Sequence, residues 1–171
     1  MSTKIIFLDI DGVLCLRTSH YQYFDKECCA RIKLILEKTE AKIVISSTWR
    51  RGHTLQSLKE LMARGYELES LDCEFESEEH IEFDKVGTFD SEVIIGMTPT
   101  LNLEYTESGI PYGRGAEISA WLSEHPEVNQ YVVIDDDRVD IVPHTDLLVQ
   151  TDTRIGITDT DVQKAMIILG L

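Results

Sequence analysis

Apolar positions along the chain follow two rhythms. Short unbroken runs occur at IIFLD (residues 5–9), AKIVISS (41–47), VIIGM (93–97), YVVID (131–135) and DLLVQT (146–151). Runs of this length, rich in β-branched residues, predict strands buried on both faces. Between them the spacing changes to that of helices. DKECCARIKLILEK (25–38) sets Cys28, Ile32, Ile35 and Leu36 on one face, with Asp25 placed to cap the first turn. Residues 55–64 repeat the pattern, and Gly65 stands where a helix often closes. Residues 115–125 put Ile118, Trp121 and Leu122 inward and stop at Pro126. The terminal TDTDVQKAMIILGL predicts a capped helix starting at Thr158 or Thr160. Strands alternating with helices, without internal repeats, predict a doubly wound, Rossmann-like α/β fold with a parallel sheet.

Composition sharpens this picture. The 171 residues suit a single domain spanning 1–171, with an acidic insertion at about 66–92. A hydrophobic content of 43% supplies a core. No 18-residue apolar run is present, and MSTKIIFLDI does not read as a signal peptide, so a cytoplasmic, non-membrane protein is expected. The cysteines, Cys15, Cys28, Cys29 and Cys73, form no C-x-x-C pair and are expected as buried thiols. The net charge of −15 counts against a generic polyanion binder, because phosphate contacts need Lys and Arg.

The chemistry lies at the strand ends. IIFL runs into Asp9 and Asp11, and YVVI runs into Asp135, Asp136 and Asp137, while KIVI ends on Ser46 and Ser47. In an open parallel sheet, ligands bind outside the carboxyl ends of the strands. Acids gathered there repel one another and lose hydration, which is costly unless a cation joins them. A hard, oxygen-rich edge of this kind suits Mg²⁺. D-x-D-G also begins like a calcium-binding EF-hand loop, but the ligand positions that follow would be Val13 and His20.

These residues carry a resemblance. FLDIDGVL resembles the first motif of the haloacid dehalogenase (HAD) superfamily of phosphotransferases, hhhhDxDG. IVISS resembles the second motif, and IDDDRVD the fourth, with Asp135 and Asp136 as its acidic pair and Asp140 as the further Asp. Arg114 stands where the third motif has a lone Lys or Arg. FLDIDGVL, SSTWR, RGAEISAWL, VVIDDD and GITDTDV are together similar to a narrower branch, the small capless HAD domain of RNA-repair (Swiss Army Knife type) proteins.

The resemblance implies roles. Asp9 is the expected nucleophile, forming an aspartyl-phosphate. Asp11 is the expected general acid and later base, its value raised by acidic neighbours. Mg²⁺ is expected on Asp9, the backbone oxygen of Asp11, and Asp136. Ser46, or Ser47 one place on, would bind a phosphoryl oxygen. Arg114 would neutralise charge, and Asp135 and Asp140 would orient the metal or Arg114. Asp11 argues for phosphoryl transfer, since the dehalogenases of the superfamily lack an acid there.

The expected activity is Mg²⁺-dependent hydrolysis of a phosphomonoester. The alternative is a regulatory domain that senses phosphorylated partners. Between the motifs there is little room for a cap. An open site suits a nucleic-acid end or a phosphoprotein, although the net charge disfavours nucleic acid. Arg50 is read either as a fork onto substrate or as a partner of the acid cluster. Trp49 is read as a stacking platform or as packing, and His20, Tyr21 and Tyr23 as entrance or packing residues. A monomer or small homo-oligomer is expected.

Overall fold

Strand β1, Thr3–Leu8, shows why the sheet forms. Ile5, Ile6, Phe7 and Leu8 are all buried, and alternate side chains face opposite sides. Ile6 and Leu8 join one apolar cluster, and Ile5 and Phe7 join another. Each such side chain stabilises the fold by roughly 1.5–3 kcal/mol. A continuous apolar run is therefore the local signature of a strand covered on both faces.

The computed structural model describes residues 3–65, 89–101 and 113–171. In these, β1 is joined by β2 (Lys42–Ile45), β3 (Ile94–Met97), β4 (Val128–Asp135) and β5 (Leu148–Gln150). All pairings are parallel, in the order β3-β2-β1-β4-β5. The expected Rossmann-like α/β fold is therefore the fold observed. The most apolar run, β1, lies at the centre, between the strands that lead to Ser46 and Asp135.

Helices cover both faces. Helices α1 (Lys26–Thr39), α2 (Leu55–Arg64) and α4 (Asp159–Ile168) pack against Ile6, Leu8, Ile43, Ile45, Val132 and Ile134. Helix α3 (Arg114–Glu124) covers the other face, where Ile118 and Trp121 meet Ile5, Phe7, Val44 and Val133. Phe7 sits edge-on to Trp121 and Tyr131, with ring centroids 5.4 and 5.6 Å away.

The capping signals are used as expected. Asp25 accepts from the Cys28 amide at 3.0 Å, and Thr158 forms a reciprocal box with Asp161. Boundaries differ for local reasons. β2 stops at Ile45, because Ser47 turns to cap a short 3-10 turn at Thr48–Arg51. β5 is shorter than expected, because Thr145–Leu147 form another such turn. β4 starts earlier, where Val128 pairs with Thr3 across a register shift. α3 begins at Arg114 rather than Gly115.

Cys15, Cys28 and Cys29 are buried free thiols. Burial raises all three, Cys28 and Cys29 to about 12, which keeps them protonated and unreactive. Cys73 and the acidic insertion as far as residue 88 lie outside the described residues. Among the described residues no helix is long and apolar enough to cross a membrane.

Candidate active site

The sheet register builds the site. Met97, Ile45, Leu8 and Ile134 are register partners, so the next residues along their strands are Thr98, Ser46, Asp9 and Asp135, which form one cross-strand row. Gln150 continues it as the partner of Asp135. The chain thus passes, within one step on each of these strands, from an apolar row, buried except at the partly covered Met97, to a polar one. Alternation turns that polar row towards α3, which brings Arg114.

Asp9 is 3% exposed. Its Oδ1 accepts from the Ile10 amide at 2.8 Å, and its Oδ2 pairs with Arg114 Nη1 at 2.5 Å. The same Nη1 lies 2.7 Å from Asp135 Oδ2, and Arg114 Nε donates to Asp140 Oδ2 at 3.0 Å. Burial disfavours the guanidinium charge, but Asp9 and Asp135 outweigh it and hold Arg114 firmly as a cation. Asp135 Oδ1 accepts from the Asp137 amide at 2.9 Å. Burial first, and the Asp9 charge second, raise Asp135 and Asp136 above the usual carboxylate range.

One carboxylate oxygen each from Asp9, Asp135 and Asp136 lies within 4.8 Å of the others. This donor set of hard oxygens, carrying more charge than Arg114 balances, fits a Mg²⁺ ion. Gly12 makes room for the Asp136 carboxylate, with φ at 76°, and a Cβ there would lie 2.7 Å from Asp136 Cγ. The motif assigns Asp135 only to orienting the metal or Arg114. It does hold Arg114, and it also stands in the cluster itself.

Asp11 stands beside this cluster rather than in it. Its Oδ2 accepts from the indole Nε1 of Trp49 at 2.9 Å. Burial raises Asp11, the indole contact opposes the rise, and the Asp9 charge adds to it. Trp49 stacks with Phe24 and His53, at centroid distances of 6.1 and 6.4 Å.

The two serines separate. Ser47 Oγ accepts from the Trp49 amide at 3.4 Å. Ser46 Oγ is fully buried beside Asp9 in the polar row and has no hydrogen-bond partner among the described residues, as is also true of Thr98 Oγ1. Arg50, read as a fork onto substrate or a partner of the acid cluster, does neither. It is 5% exposed, its Nη1 donates to the carbonyls of Ser46 and Ser47, and its Nη2 pairs with Glu117 of α3. Glu117 also accepts from the Leu101 amide at 3.2 Å.

Sequence reasoning missed Thr98, Glu117 and the Trp49–Asp11 contact. Thr98 carried a usable signal, since it follows a strand run as Ser46 does. The other two did not, because nothing local ties Trp49 to Asp11 or Arg50 to Glu117.

A parallel α/β sheet whose central strand ends on a buried, arginine-paired carboxylate, beside a second acidic strand end, is the arrangement of a HAD-type domain. The family model for the HAD domain in Swiss Army Knife RNA repair proteins matches residues 5–162, and the chain belongs to that family. Membership places it among phosphohydrolase-type domains in general. No curated protein and no solved structure matches the chain.

Proposed function

We propose that the protein is a Mg²⁺-dependent phosphomonoester hydrolase that works through an aspartyl-phosphate on Asp9. The observation that supports this most is the meeting of Asp9, Asp135, Asp136 and Arg114 at the end of the central strand. Asp9 Oδ1 is fixed by the Ile10 amide, so the carboxylate is held in one orientation.

In the first step a carboxylate oxygen of Asp9 forms a bond to phosphorus as the bond to the leaving oxygen breaks. Asp11 gives its proton to that oxygen. In the second step Asp11, now a carboxylate, takes a proton from the water that attacks the aspartyl-phosphate, which frees Asp9 and phosphate. Ser46 Oγ, without another partner among the described residues, donates to a phosphoryl oxygen. Arg114 offsets the negative charge of Asp9 and the phosphoryl group. Mg²⁺, held by Asp9 and Asp136 with Asp135 beside them, supplies charge neutralisation when bound.

The substrate is a phosphomonoester. The family's description includes RNA repair, which brings a nucleic-acid phosphate end into the panel, although the net charge of −15 disfavours one. The test is phosphate release from p-nitrophenyl phosphate, nucleoside 3′- and 5′-monophosphates, phosphorylated oligonucleotides and phosphopeptides, with Mg²⁺ and with EDTA. Turnover that EDTA and Asp9→Asn both abolish is expected. Turnover that survives either one contradicts the mechanism.

A further inference from the structure

We infer that Trp49 is the positioning residue of the general acid, its indole N–H fixing which oxygen of Asp11 carries the proton. The inference rests on the hydrolase reading above and extends it to a residue for which the motifs give no role. The contact runs from Nε1 to Asp11 Oδ2 at 2.9 Å. An indole N–H donates and cannot accept. It therefore stays on Oδ2 in both protonation states of Asp11, and Oδ1 is left to carry the transferable proton.

The surroundings hold the indole for that task. Ser47 caps the turn that starts at Thr48, accepting from the Trp49 amide. Arg50 Nη1 binds the carbonyls of both Ser46 and Ser47, so the turn is tied to the end of β2. Phe24 and His53 each stack with the indole at small interplanar angles, 29° and 23°. Asp11 is anchored from its own side, where the Gly12 amide donates to the Cys15 carbonyl at 2.7 Å and Cys15 bridges to Phe24. The acid and its donor thus sit on two turns that share Phe24 as a common neighbour. The partner that the indole N–H finds is the carboxylate of the general acid itself.

The proton balance gives the consequence. When the leaving group is an alkoxide, Asp11 must deliver its Oδ1 proton as the P–O bond breaks. When it is p-nitrophenolate, a stable anion, no proton is needed at that moment. Loss of the indole N–H should therefore slow alkyl esters and spare the activated aryl ester.

Two measurements test this. The chain has two tryptophans, Trp49 and Trp121, so an amide-nitrogen correlation spectrum of the ¹⁵N-labelled protein shows two indole N–H signals. Trp49→Phe assigns one by its disappearance, and Asp11→Ala should shift that signal and leave the Trp121 signal in place. An unmoved Trp49 signal overturns the contact whether or not the protein is active. In the second, Trp49 is replaced by Phe and, to keep ring size and stacking, by benzothienylalanine, which has sulfur in place of N–H. Both should lose about 10-fold or more in kcat/KM on a nucleoside monophosphate, a loss in the range general acid catalysis supplies, and change little on p-nitrophenyl phosphate. Equal losses on both esters, or no loss with the benzothienyl variant, overturn the inference. Absence of turnover by the unmodified protein would instead count against the hydrolase reading, and the indole signal would still decide the contact.

Discussion

Arg114 and Arg50 are both largely buried arginines that reach across to another element, and they do opposite things. Arg114 faces Asp9, Asp135 and Asp140, with Asp136 close by, so one cation stands among an excess of carboxylates. Arg50 faces one carboxylate, Glu117, and two carbonyls, so charge there is matched and sealed. Matched charge holds structure in place. Unmatched charge at a strand end leaves a site that a metal ion and a phosphoryl group can complete. Charge balance, more than burial, separates the two.

Glu117→Ala should have the largest effect on stability. It leaves Arg50 buried without its counter-ion, a loss of about 3–5 kcal/mol measured by urea unfolding. The pair Arg50→Met with Glu117→Leu should recover most of that, since well-packed apolar replacements of buried pairs are often neutral or better. If the double variant is no better than the single, the matched-pair reading is wrong.

Arg114→Ala should separate the two sites by its readout. Phosphate release is expected to fall about 10²–10³-fold, as when one donor to developing charge is removed. A thermal melt with Mg²⁺ should show a smaller stability loss than Glu117→Ala. Equal unfolding losses in the two variants would remove the distinction.

The excess charge also predicts a pH signature. Asp135 and Asp136 are raised in the fold, so the stability they add to the metal-free protein is complete below their unfolded value of 3.8. It is lost as the pH rises through their raised folded values. Mg²⁺ binds the anionic forms, so the stabilisation it gives should grow with pH over that range. At a free concentration of about 100 times Kd it should reach about 2.7 kcal/mol. Asp136→Asn should remove most of this Mg²⁺-dependent rise in Tm. A Mg²⁺ effect that shrinks as pH rises would contradict it.

The smallest expected effect concerns the seat of α3. A Cβ on Gly115 would meet the carbonyl oxygens of Val142 and Ile141, the latter at 2.6 Å. Gly115→Ala should cost about 1–3 kcal/mol by overpacking and weaken activity by displacing Arg114. Unchanged stability would show that the loop after β4 yields freely.

Legibility in the sequence followed distance along the chain. The strands were readable because burial on both faces leaves a local apolar run, as in Ile5–Ile6–Phe7–Leu8. The acids were readable because Asp9 and Asp135 directly follow such runs, and a parallel register then aligns them. Arg114 was readable only through the family motif. Trp49 and Asp11 are 38 residues apart, and Arg50 and Glu117 are 67 apart. Their meeting depends on where turns and α3 are seated, and no local pattern encodes that. Arg50 stands next to a motif but turns inward, which only the structure reveals.

The most direct test of the central claim is an acid-quenched reaction with a ³²P-labelled aryl phosphate and Mg²⁺, followed by peptide mapping. Label should appear on the peptide containing Asp9, be released by hydroxylamine, and accumulate further in Asp11→Asn, where the water-activating base is gone. Phosphate release without label on that peptide, together with full turnover by Asp9→Asn, would contradict the aspartyl-phosphate mechanism.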